Sequence, residues 1–328
     1  MRVPGNLLDL MRASASTASI TVVYQPPPDR LLAQLQAIMP QVDLCILVNN
    51  GDAKVLDDIV SRVPDSGAIR VLHLGANLGV AAALNRGLEV AVRAGVEWAL
   101  LLDQDSIPGE RFVASLLGEA LEQKQNSAPI AAIGPRIVMP RDGTDLPFIR
   151  LGWLRNQHLR GAPGSTVDCD FLITSGCLVR LDAFARIGGF DEGLFIDSVD
   201  LEWSFRAKSL GYRLLGSFGT VLDHEIGASS TMVAGVLRVV IHPPVRLYFM
   251  TRNRILLYRR DYVPAKWKLK DSCRMVMKFF AMTLFVAPRL EYAKMSWKGF
   301  LDGVFERAGT IEKMNKTSPK RNPDHWKN

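Results

Sequence analysis

Residues 98–108 of this chain read WALLLDQDSIP. The apolar run predicts a buried strand, and the Ser-Ile-Pro after the acidic residues ends it. Asp103 and Asp105 therefore emerge where the strand meets solvent, the edge at which α/β sheets bind ligands. Two carboxylates separated by one residue suit Mg²⁺ or Mn²⁺, whose shell the phosphate oxygens of a nucleotide diphosphate would complete. The alternative interpretation is a solvated turn or a helix cap.

Strand and helix patterns alternate on both sides of this stretch. The alternation predicts an α/β fold with a doubly wound, mostly parallel sheet. Residues 139–165 are rich in Gly, Pro and Arg, which indicates a loop near a ligand. Strands are predicted at 20–24, 45–48, 69–74, 98–102, 130–133, 171–173, 177–179 and 219–222, and helices at 29–39, 79–94, 110–123 and 201–210.

Composition limits the class of protein. The 328 residues, 48% of them hydrophobic, are enough for one large domain with an appendage. The four cysteines form no CxxC pair, so the sequence suggests neither a disulfide framework nor a zinc site. The first 19 residues carry scattered charges and no continuous apolar run, and we therefore expect a cytoplasmic protein without a secretory signal.

The net charge of +7 is concentrated towards the C-terminus. Between Arg246 and Lys298, basic residues alternate with aromatic and aliphatic ones, which predicts a basic amphipathic helical extension on an anionic membrane surface and not a nucleic-acid interface. The most apolar run, 279–287, is far shorter than the roughly 20 residues of a membrane-spanning helix. Alternatively, the extension packs on the domain or on a second subunit. We expect the α/β domain, which would carry the ligand site, at 1–235, the helical extension at 236–312 and a disordered tail at 313–328.

A second acidic cluster occupies residues 195–206, FIDSVDLEWSFR. Asp200 falls at the start of a predicted helix, where the exposed amides and the helix dipole favour an ionised carboxylate that can act as a general base. Glu202 and Arg206 are four residues apart on one helical face and can pair, and Asp197 can be a cap. The alternative is a capped amphipathic helix with a surface salt bridge.

His224 follows the predicted strand at 219–222. An imidazole in this position either forms a structural hydrogen bond or completes a metal site.

The order of these motifs resembles that of glycosyltransferase family 2, closest to its bacterial rhamnosyltransferase branch, over roughly residues 20–257. Residues 77–87, NLGVAAALNRG, are similar to the family's Asn-x-Gly-x-x-x-Ala-x-Asn-x-Gly segment near the nucleotide, and Asp103 and Asp105 to its Asp-x-Asp. Asp200 matches the aspartate of the family's Glu-Asp pair, its usual catalytic base, and Val199 replaces the glutamate. Asn49 stands where the family usually has an aspartate that contacts the nucleotide base. Its amide both donates and accepts, so it can still form hydrogen bonds to a pyrimidine ring.

This resemblance implies a GT-A fold and a metal-dependent inverting transfer of L-rhamnose from dTDP-L-rhamnose. The implied acceptor is lipid-linked or a polysaccharide in O-antigen or exopolysaccharide synthesis, at the inner face of the bacterial cytoplasmic membrane. The alternatives are a UDP-hexose donor, a nucleotidyltransferase and a noncatalytic membrane-surface adaptor, and the oligomeric state is open. The implied site comprises the base Asp200; the nucleotide-sugar residues Tyr24, Asn49, Asn50, Asn77, Gly79, Asn85, Asp103, Gln104 and Asp105; the acceptor-side residues Gly176, Glu202 and Arg206; and the metal ligands Asp103, Asp105 and His224.

Overall fold

The computed structural model describes residues 15–64, 66–123, 128–140, 143–223, 229–233 and 237–309. Its strands are β1 Thr17–Val23, β2 Leu44–Asn49, β3 Ile69–His73, β4 Trp98–Asp103, β5 Ile130–Met139, β6 Thr144–Leu146, β7 Phe148–Arg150, β8 Gln157–Leu159, β9 Thr166–Cys169, β10 Cys177–Arg180, β11 Arg213–Asp223, β12 Ser229–Val233 and β13 Leu237–Ile241. Its helices are α1 Pro28–Ile38, α2 Ala53–Ser61, α3 Val80–Arg93, α4 Phe112–Glu122, α5 Leu181–Ile187, α6 Val199–Ser209, α7 Pro244–Tyr258, α8 Ala265–Phe285 and α9 Arg289–Val304.

The central sheet has the strand order β3-β2-β1-β4-β10-β5-β11-β9, and β6 pairs with β5. The first four strands are parallel, β5 and β11 are parallel to each other, and β10 and β9 run antiparallel to their neighbours. The chain passes from β1 to β2 on one side and returns to β4 on the other. The point where the strand order reverses therefore lies between β1 and β4, and Asp103 is the last residue of β4.

Both faces of the sheet are buried, which explains the near-continuous apolar strands. Alternate residues of β4 point to opposite sides: Leu101 packs in one core cluster with Leu88 of α3, and Leu100 packs in another with Leu116 of α4. Helices α1 and α2 cover the same face as α4, whereas α5 and α6 lie on the face of α3. The predicted doubly wound, mostly parallel α/β fold is confirmed.

Two predictions about the second half of the chain were wrong. Residues 171–173 form no strand, because the N–H of Leu172 donates to Ser204 Oγ of α6 (3.3 Å) and not to a neighbouring strand. Residues 139–165 are not all loop, since they contain β6 and the β7–β8 hairpin.

A helical C-terminal region is present, as predicted, and is formed by α7, α8 and α9. Helix α7 is largely buried, and α9 packs closely on it through the small residues Gly299 and Gly303. Of the helices in the described part of the chain, none combines the length and the hydropathy that crossing a bilayer requires. The predicted boundary at 235/236 and the predicted tail at 313–328 lie outside the described residues.

Candidate active site

The carboxyl ends of three adjacent strands bring the predicted nucleotide-sugar residues together. Asn49 is paired with Val23 across β1 and β2, and Asp103 is paired with Val22 across β1 and β4. Because all three strands are parallel, the side chains that follow them lie at one edge of the sheet. Tyr24, directly after β1, is 45% exposed there.

The acidic turn at 103–106 is held from below by a buried glutamine. Gln34 of α1 is fully buried, and its amide donates to the carbonyls of Asp103 and Ser106, each at 2.6 Å. The hydroxyl of Thr21 in β1 fixes the orientation of the amide by donating to its Oε1 (3.0 Å). The turn can therefore present the Asp103 and Asp105 side chains from a rigid base.

Gln104 and Tyr24 join the ends of β4 and β1. The N–H of Tyr24 donates to Gln104 Oε1 at 2.8 Å. This hydrogen bond holds the residues that follow β1 and β4 side by side. The next residue of the turn, Asp105, is exposed to solvent.

Asn49, the residue that departs from the family pattern, is part of a polar network at the end of β2. Its Oδ1 accepts from the N–H of Gly51 (2.9 Å), so its Nδ2 faces the carbonyl of Asp52 (3.0 Å) and His73 Nδ1 (3.0 Å). His73 Nδ1 must then accept, which leaves Nε2–H to donate to Asp57 at 3.1 Å. Asn49 thus favours the tautomer of His73 that carries its proton on Nε2.

Asn50, Asn77 and Gly79 fix the entry to α3. Asn50 donates to Asn77 Oδ1 (3.0 Å) and accepts from the N–H of Leu78 (2.8 Å). Gly79 has φ +89°, and a Cβ there would lie 2.5 Å from the carbonyl oxygen of Phe195. The N–H of Val80 donates to that same carbonyl (2.8 Å), so the start of α3 is joined directly to the loop before α6.

Asn85 is buried one turn further along α3. Its Oδ1 accepts from the N–H of Phe190 (2.8 Å), and its Nδ2 donates to the carbonyl of Phe190 (2.9 Å) and to Glu192 (3.0 Å). The structure therefore uses Asn85 to hold the loop that leads to α6, and its direct contact with a nucleotide stays a prediction.

Asp200 is the second residue of α6, as the sequence predicts. Burial raises its pKa to about 6, and the charges of Asp197 and Asp103 act in the same direction, while the N–H of Leu201 opposes them by donating to Oδ1 at 2.8 Å. A carboxylate with this pKa is ionised at neutral pH and is a better proton acceptor than an ordinary aspartate. The charge of Asp103 is the weakest of these influences, and it indicates that the end of β4 lies near the start of α6.

The loop before α6 has an unusual backbone. Phe195, Asp197 and Ser198 all have φ near +64°, a conformation that costs a non-glycine residue of order 1–3 kcal/mol. Such strain persists only where the surroundings hold it in place, and it occurs often at functional sites.

Helix α7 provides that support. Asn253 is fully buried, and its Nδ2 donates to the carbonyls of Leu194 (2.9 Å), Ile196 (2.7 Å) and Asp197 (2.8 Å). The fully buried guanidinium of Arg252 donates to the carbonyls of residues 193 and 194, both at 2.9 Å, and to Asn253 Oδ1. The first helix of the predicted C-terminal extension thus holds the loop of the candidate base.

Asp197 is not a helix cap. Its carboxylate accepts three hydrogen bonds of 3.0–3.2 Å from Arg246, in the first turn of α7. This ion pair gives a second link between the extension and the residues before Asp200.

The acceptor-side residues have scaffold contacts. Glu202 is 1% exposed and accepts from Arg206 (2.7 and 2.9 Å) and from the hydroxyl of Tyr262 (2.5 Å), so the predicted pair is present but buried. Arg206 also donates to the carbonyls of residues 187 and 189. Gly176 has φ +76° and donates its N–H to the carbonyl of Leu101 (2.7 Å). Direct contacts of these three residues with an acceptor stay predictions.

The two carboxylates of the acidic turn fit a hard divalent cation, because their oxygens are the donors that Mg²⁺ and Mn²⁺ prefer and Asp105 is open to solvent. Within the described ranges, no three His, Cys, Asp or Glu side chains form a metal-binding group. His224, the third predicted ligand, lies outside the described residues. Two protein carboxylates with water and diphosphate oxygens are a usual magnesium environment.

The sequence analysis missed the supporting residues Gln34, Arg246, Arg252 and Asn253. A signal for two of them exists, since Arg252 and Asn253 interrupt the apolar pattern of a helix otherwise rich in Leu, Phe and Tyr. Polar side chains on the buried face of a helix require partners, but the sequence does not say where those partners are.

With this geometry established, the comparisons with known proteins decide the family. The sequence model of glycosyl transferase family 2 matches residues 20–188, just over half of the 328 residues. The chain belongs to glycosyltransferase family 2. The protein is therefore a glycosyltransferase, as its motifs implied.

Two relatives lie in the predicted branch. The dTDP-rhamnosyl transferase RfbF of Shigella flexneri is 29% identical over 293 residues, which cover 87% of this chain and 94% of RfbF. The N-acetylglucosaminyl-diphospho-decaprenol L-rhamnosyltransferase of Mycobacterium tuberculosis is 27% identical over 285 residues, which cover 77% of this chain and 89% of that protein. The resemblance to the rhamnosyltransferase branch is confirmed.

A solved structure confirms the fold. The crystal structure of S. aureus TarS 1-349 superposes with a TM-score of 0.50 and 15% identity, covering 89% of this chain and 82% of that one. The GT-A architecture predicted for this family 2 glycosyltransferase is thus the observed one.

Proposed function

We propose that this family 2 glycosyltransferase transfers L-rhamnose from dTDP-L-rhamnose, with inversion and with Mg²⁺ or Mn²⁺, to a lipid-linked or polysaccharide acceptor of the cell envelope. The observation that carries the proposal is Asp200, whose pKa is raised to about 6 by burial and which lies within range of the charge of Asp103 at the reversal point of the sheet. The two rhamnosyltransferase relatives support the choice of sugar and of a lipid-linked acceptor.

A single displacement accounts for these residues. The acceptor hydroxyl gives its proton to the Asp200 carboxylate as its oxygen forms the bond to the anomeric carbon, and the bond to the diphosphate breaks on the opposite face. General-base help of this kind is worth roughly 10²–10⁴-fold. The configuration at the anomeric carbon inverts because the reaction has one displacement and no covalent intermediate.

Asp103 and Asp105 would hold the cation, with His224 as the third predicted ligand. Held by these residues, Mg²⁺ or Mn²⁺ would supply positive charge to neutralise the departing diphosphate. Tyr24, Gln104, Asn49 and the residues around Gly79 would position the nucleotide at the strand ends.

The decisive experiment measures product formation and stereochemistry together. The purified protein is incubated with dTDP-, UDP- and GDP-sugars, with and without Mn²⁺, in the presence of membrane lipid extract. We expect transfer from dTDP-L-rhamnose alone, abolished by EDTA and by Asp105→Asn, and a glycosidic bond whose anomeric configuration by NMR is opposite to that of the donor. Transfer from a UDP-hexose would replace the proposed donor, and retention would refute the single displacement.

We also propose that α8 and α9 lie on an anionic membrane surface. Leu269, Val276, Phe280 and Leu284 recur along one face of α8 and are exposed, while Leu290, Trp297 and Phe300 do the same on α9. Helix α9 has its small residues against α7 and its large apolar ones outside, the reverse of a helix that packs only on its own domain. Arg289, Lys294 and Lys298 flank this apolar face and suit anionic lipid headgroups.

Vesicle co-sedimentation tests the membrane proposal. We expect binding to vesicles that contain phosphatidylglycerol, weaker binding to neutral vesicles, and loss of binding in a Trp297→Ser/Leu290→Ser double variant. Val55→Ser, which removes an exposed apolar side chain from α2, serves as the control. Equal sedimentation of all three proteins would contradict a membrane role for this face.

A further inference from the structure

The turn between β7 and β8 carries two large apolar side chains that are exposed to solvent. Trp153 is 67% exposed and Leu154 is 94% exposed. Other exposed apolar residues of the α/β domain, such as Val55 and Val92, are isolated in the sequence. Single exposed apolar side chains need no explanation, whereas an adjacent Trp-Leu pair on a turn indicates a surface that contacts an apolar partner. We call these two residues the hairpin tip.

The chain around the hairpin tip is fixed in place. Leu151 is buried, and its N–H donates to Asp170 Oδ2 (2.6 Å). The turn is also tight, because a Cβ on Gly152 would collide with the carbonyl oxygen of Arg155. The hairpin tip is therefore presented from a well-supported base, and its exposure is a property of the fold.

Helix α8 holds both sides of this turn. Lys266 Nζ donates to the carbonyl of Leu151 (2.7 Å). One turn later in the helix, Lys270 Nζ donates to the carbonyl of Gly152 and to Asn156 Oδ1. The residues just before and just after the hairpin tip are thus bound to the first two turns of α8.

The side of α8 that holds the turn also carries exposed apolar residues. Residues that follow one another at alternating intervals of four and three share one face of a helix. On α8 one such series consists of Lys266, Lys270, Cys273, Met277, Phe280 and Leu284. Its last three members are each more than half exposed. The hairpin tip therefore lies at the N-terminal end of the exposed apolar face of α8.

The charge around the hairpin tip indicates which apolar partner fits it. Residues 146–167 contain three arginines and no acidic residue, and Arg155, directly after the tip, is exposed. An indole and a leucine beside guanidinium groups suit the boundary of an anionic bilayer, where the ring lies at the level of the headgroups and the cations meet the lipid phosphates. Charge and hydropathy thus favour the same partner.

We propose that the hairpin tip inserts into the interfacial layer of an anionic membrane, beside α8. This inference rests on the membrane proposal for α8 and α9 and adds a contact made by the α/β domain itself. The orientation of the site towards the membrane then does not depend on the C-terminal helices alone.

An environment-sensitive fluorophore at the hairpin tip tests the insertion. Leu154→Cys is labelled with nitrobenzoxadiazole in a Cys273→Ser background, because Cys273 is the exposed cysteine and the other three are buried. On addition of vesicles that contain phosphatidylglycerol, we expect the emission to increase and to shift to shorter wavelength. The same label at Val55→Cys, on the exposed side of α2, is the control and should not respond.

An unlabelled variant measures the contribution of the hairpin tip to binding. Trp153→Ser/Leu154→Ser should bind the same vesicles at least about tenfold more weakly than the wild type, because two large apolar side chains no longer leave water. Since both side chains are exposed, thermal melts of the variant and of the wild type should coincide. Light scattering of both proteins without vesicles reports self-association.

The outcomes separate this inference from the membrane proposal on which it rests. If the protein binds vesicles but the label at position 154 does not respond, the hairpin tip is outside the bilayer, and α8 and α9 keep their membrane role. If the wild type binds no vesicles, both proposals fail. A double variant that loses self-association and binds vesicles normally would assign the tip to a second copy of the chain and overturn the inference. Because no sugar transfer is measured, a wrong donor leaves the test intact.

Discussion

Asn253→Asp tests whether α7 controls the candidate base. The substitution keeps the size of the side chain but replaces the donating NH₂ with an oxygen that faces the carbonyls of Leu194, Ile196 and Asp197. The NH₂ of Asn253 has two hydrogens, which the three carbonyls share, and each hydrogen bond contributes about 1 kcal/mol net, so the variant loses about 2 kcal/mol of support. The strain of the three residues with positive φ is of the same order, and the loop should relax.

A loss of about 2 kcal/mol reduces the population of the competent loop by roughly 30-fold, because 1.36 kcal/mol corresponds to a factor of ten. We therefore expect kcat/KM for sugar transfer to fall by about that factor. Initial rates with saturating donor measure the fall, and circular dichroism melts measure the fold. Asn156→Asp makes the same chemical change on an outer loop and is the control. If Asn253→Asp were as active as that control, the loop would not depend on α7.

Four further predictions concern the base and the start of α3. Asp200→Asn should lower kcat by roughly 10²–10⁴-fold while metal-dependent donor binding, measured by thermal shift, is retained; loss of binding instead would give Asp200 another role. With the pKa of Asp200 near 6, log kcat/KM should fall with slope one below pH 6, and a profile flat to pH 5 would exclude it as the base. Because the pKa of Asp200 is higher in the folded than in the unfolded protein, its protonation stabilises the fold, and this stabilisation is lost as the pH rises from about 4 to 6. The melting temperature of Asp200→Asn, measured relative to that of the wild type, should therefore be higher at pH 8 than at pH 4. Gly79→Ala places a Cβ against Phe195 and should lower the melting temperature and the activity more than Gly75→Ala does, because Gly75 has a similar φ (+72°) but no neighbour within 4 Å. Equal effects would mean that the positive φ, and not the contact with Phe195, causes the loss of stability.

The elements of the sheet were predictable because their signals are local. The apolar run before Asp103 and the acidic residues after it determine both a buried strand and a polar strand end. Asp200 could be placed at a helix start for the same reason. The apolar residues 171–173 misled the analysis, because a hydroxyl of α6 takes a backbone N–H that a strand would use for pairing.

The supporting contacts of the site were not predictable, because they join residues far apart in sequence. Asn253 meets the loop 56–59 residues before it, and Gln34 meets the acidic turn about 70 residues after it. A period of 3.6 residues identifies a buried helix face but not the surface that covers it. The extension was predicted as a membrane element for this reason, although its first helix is turned inward.

The inward position of α7 has a consequence for engineering acceptor preference by exchange of C-terminal segments between relatives. A graft joined near residue 235 would import a foreign α7 and with it a foreign set of donors for the carbonyls before Asp200. A junction after Pro264 retains Arg246, Arg252 and Asn253, and also Tyr262, which donates to Glu202, and it exchanges only α8 and α9. Hybrids of the second kind should retain turnover while their membrane and acceptor preferences change.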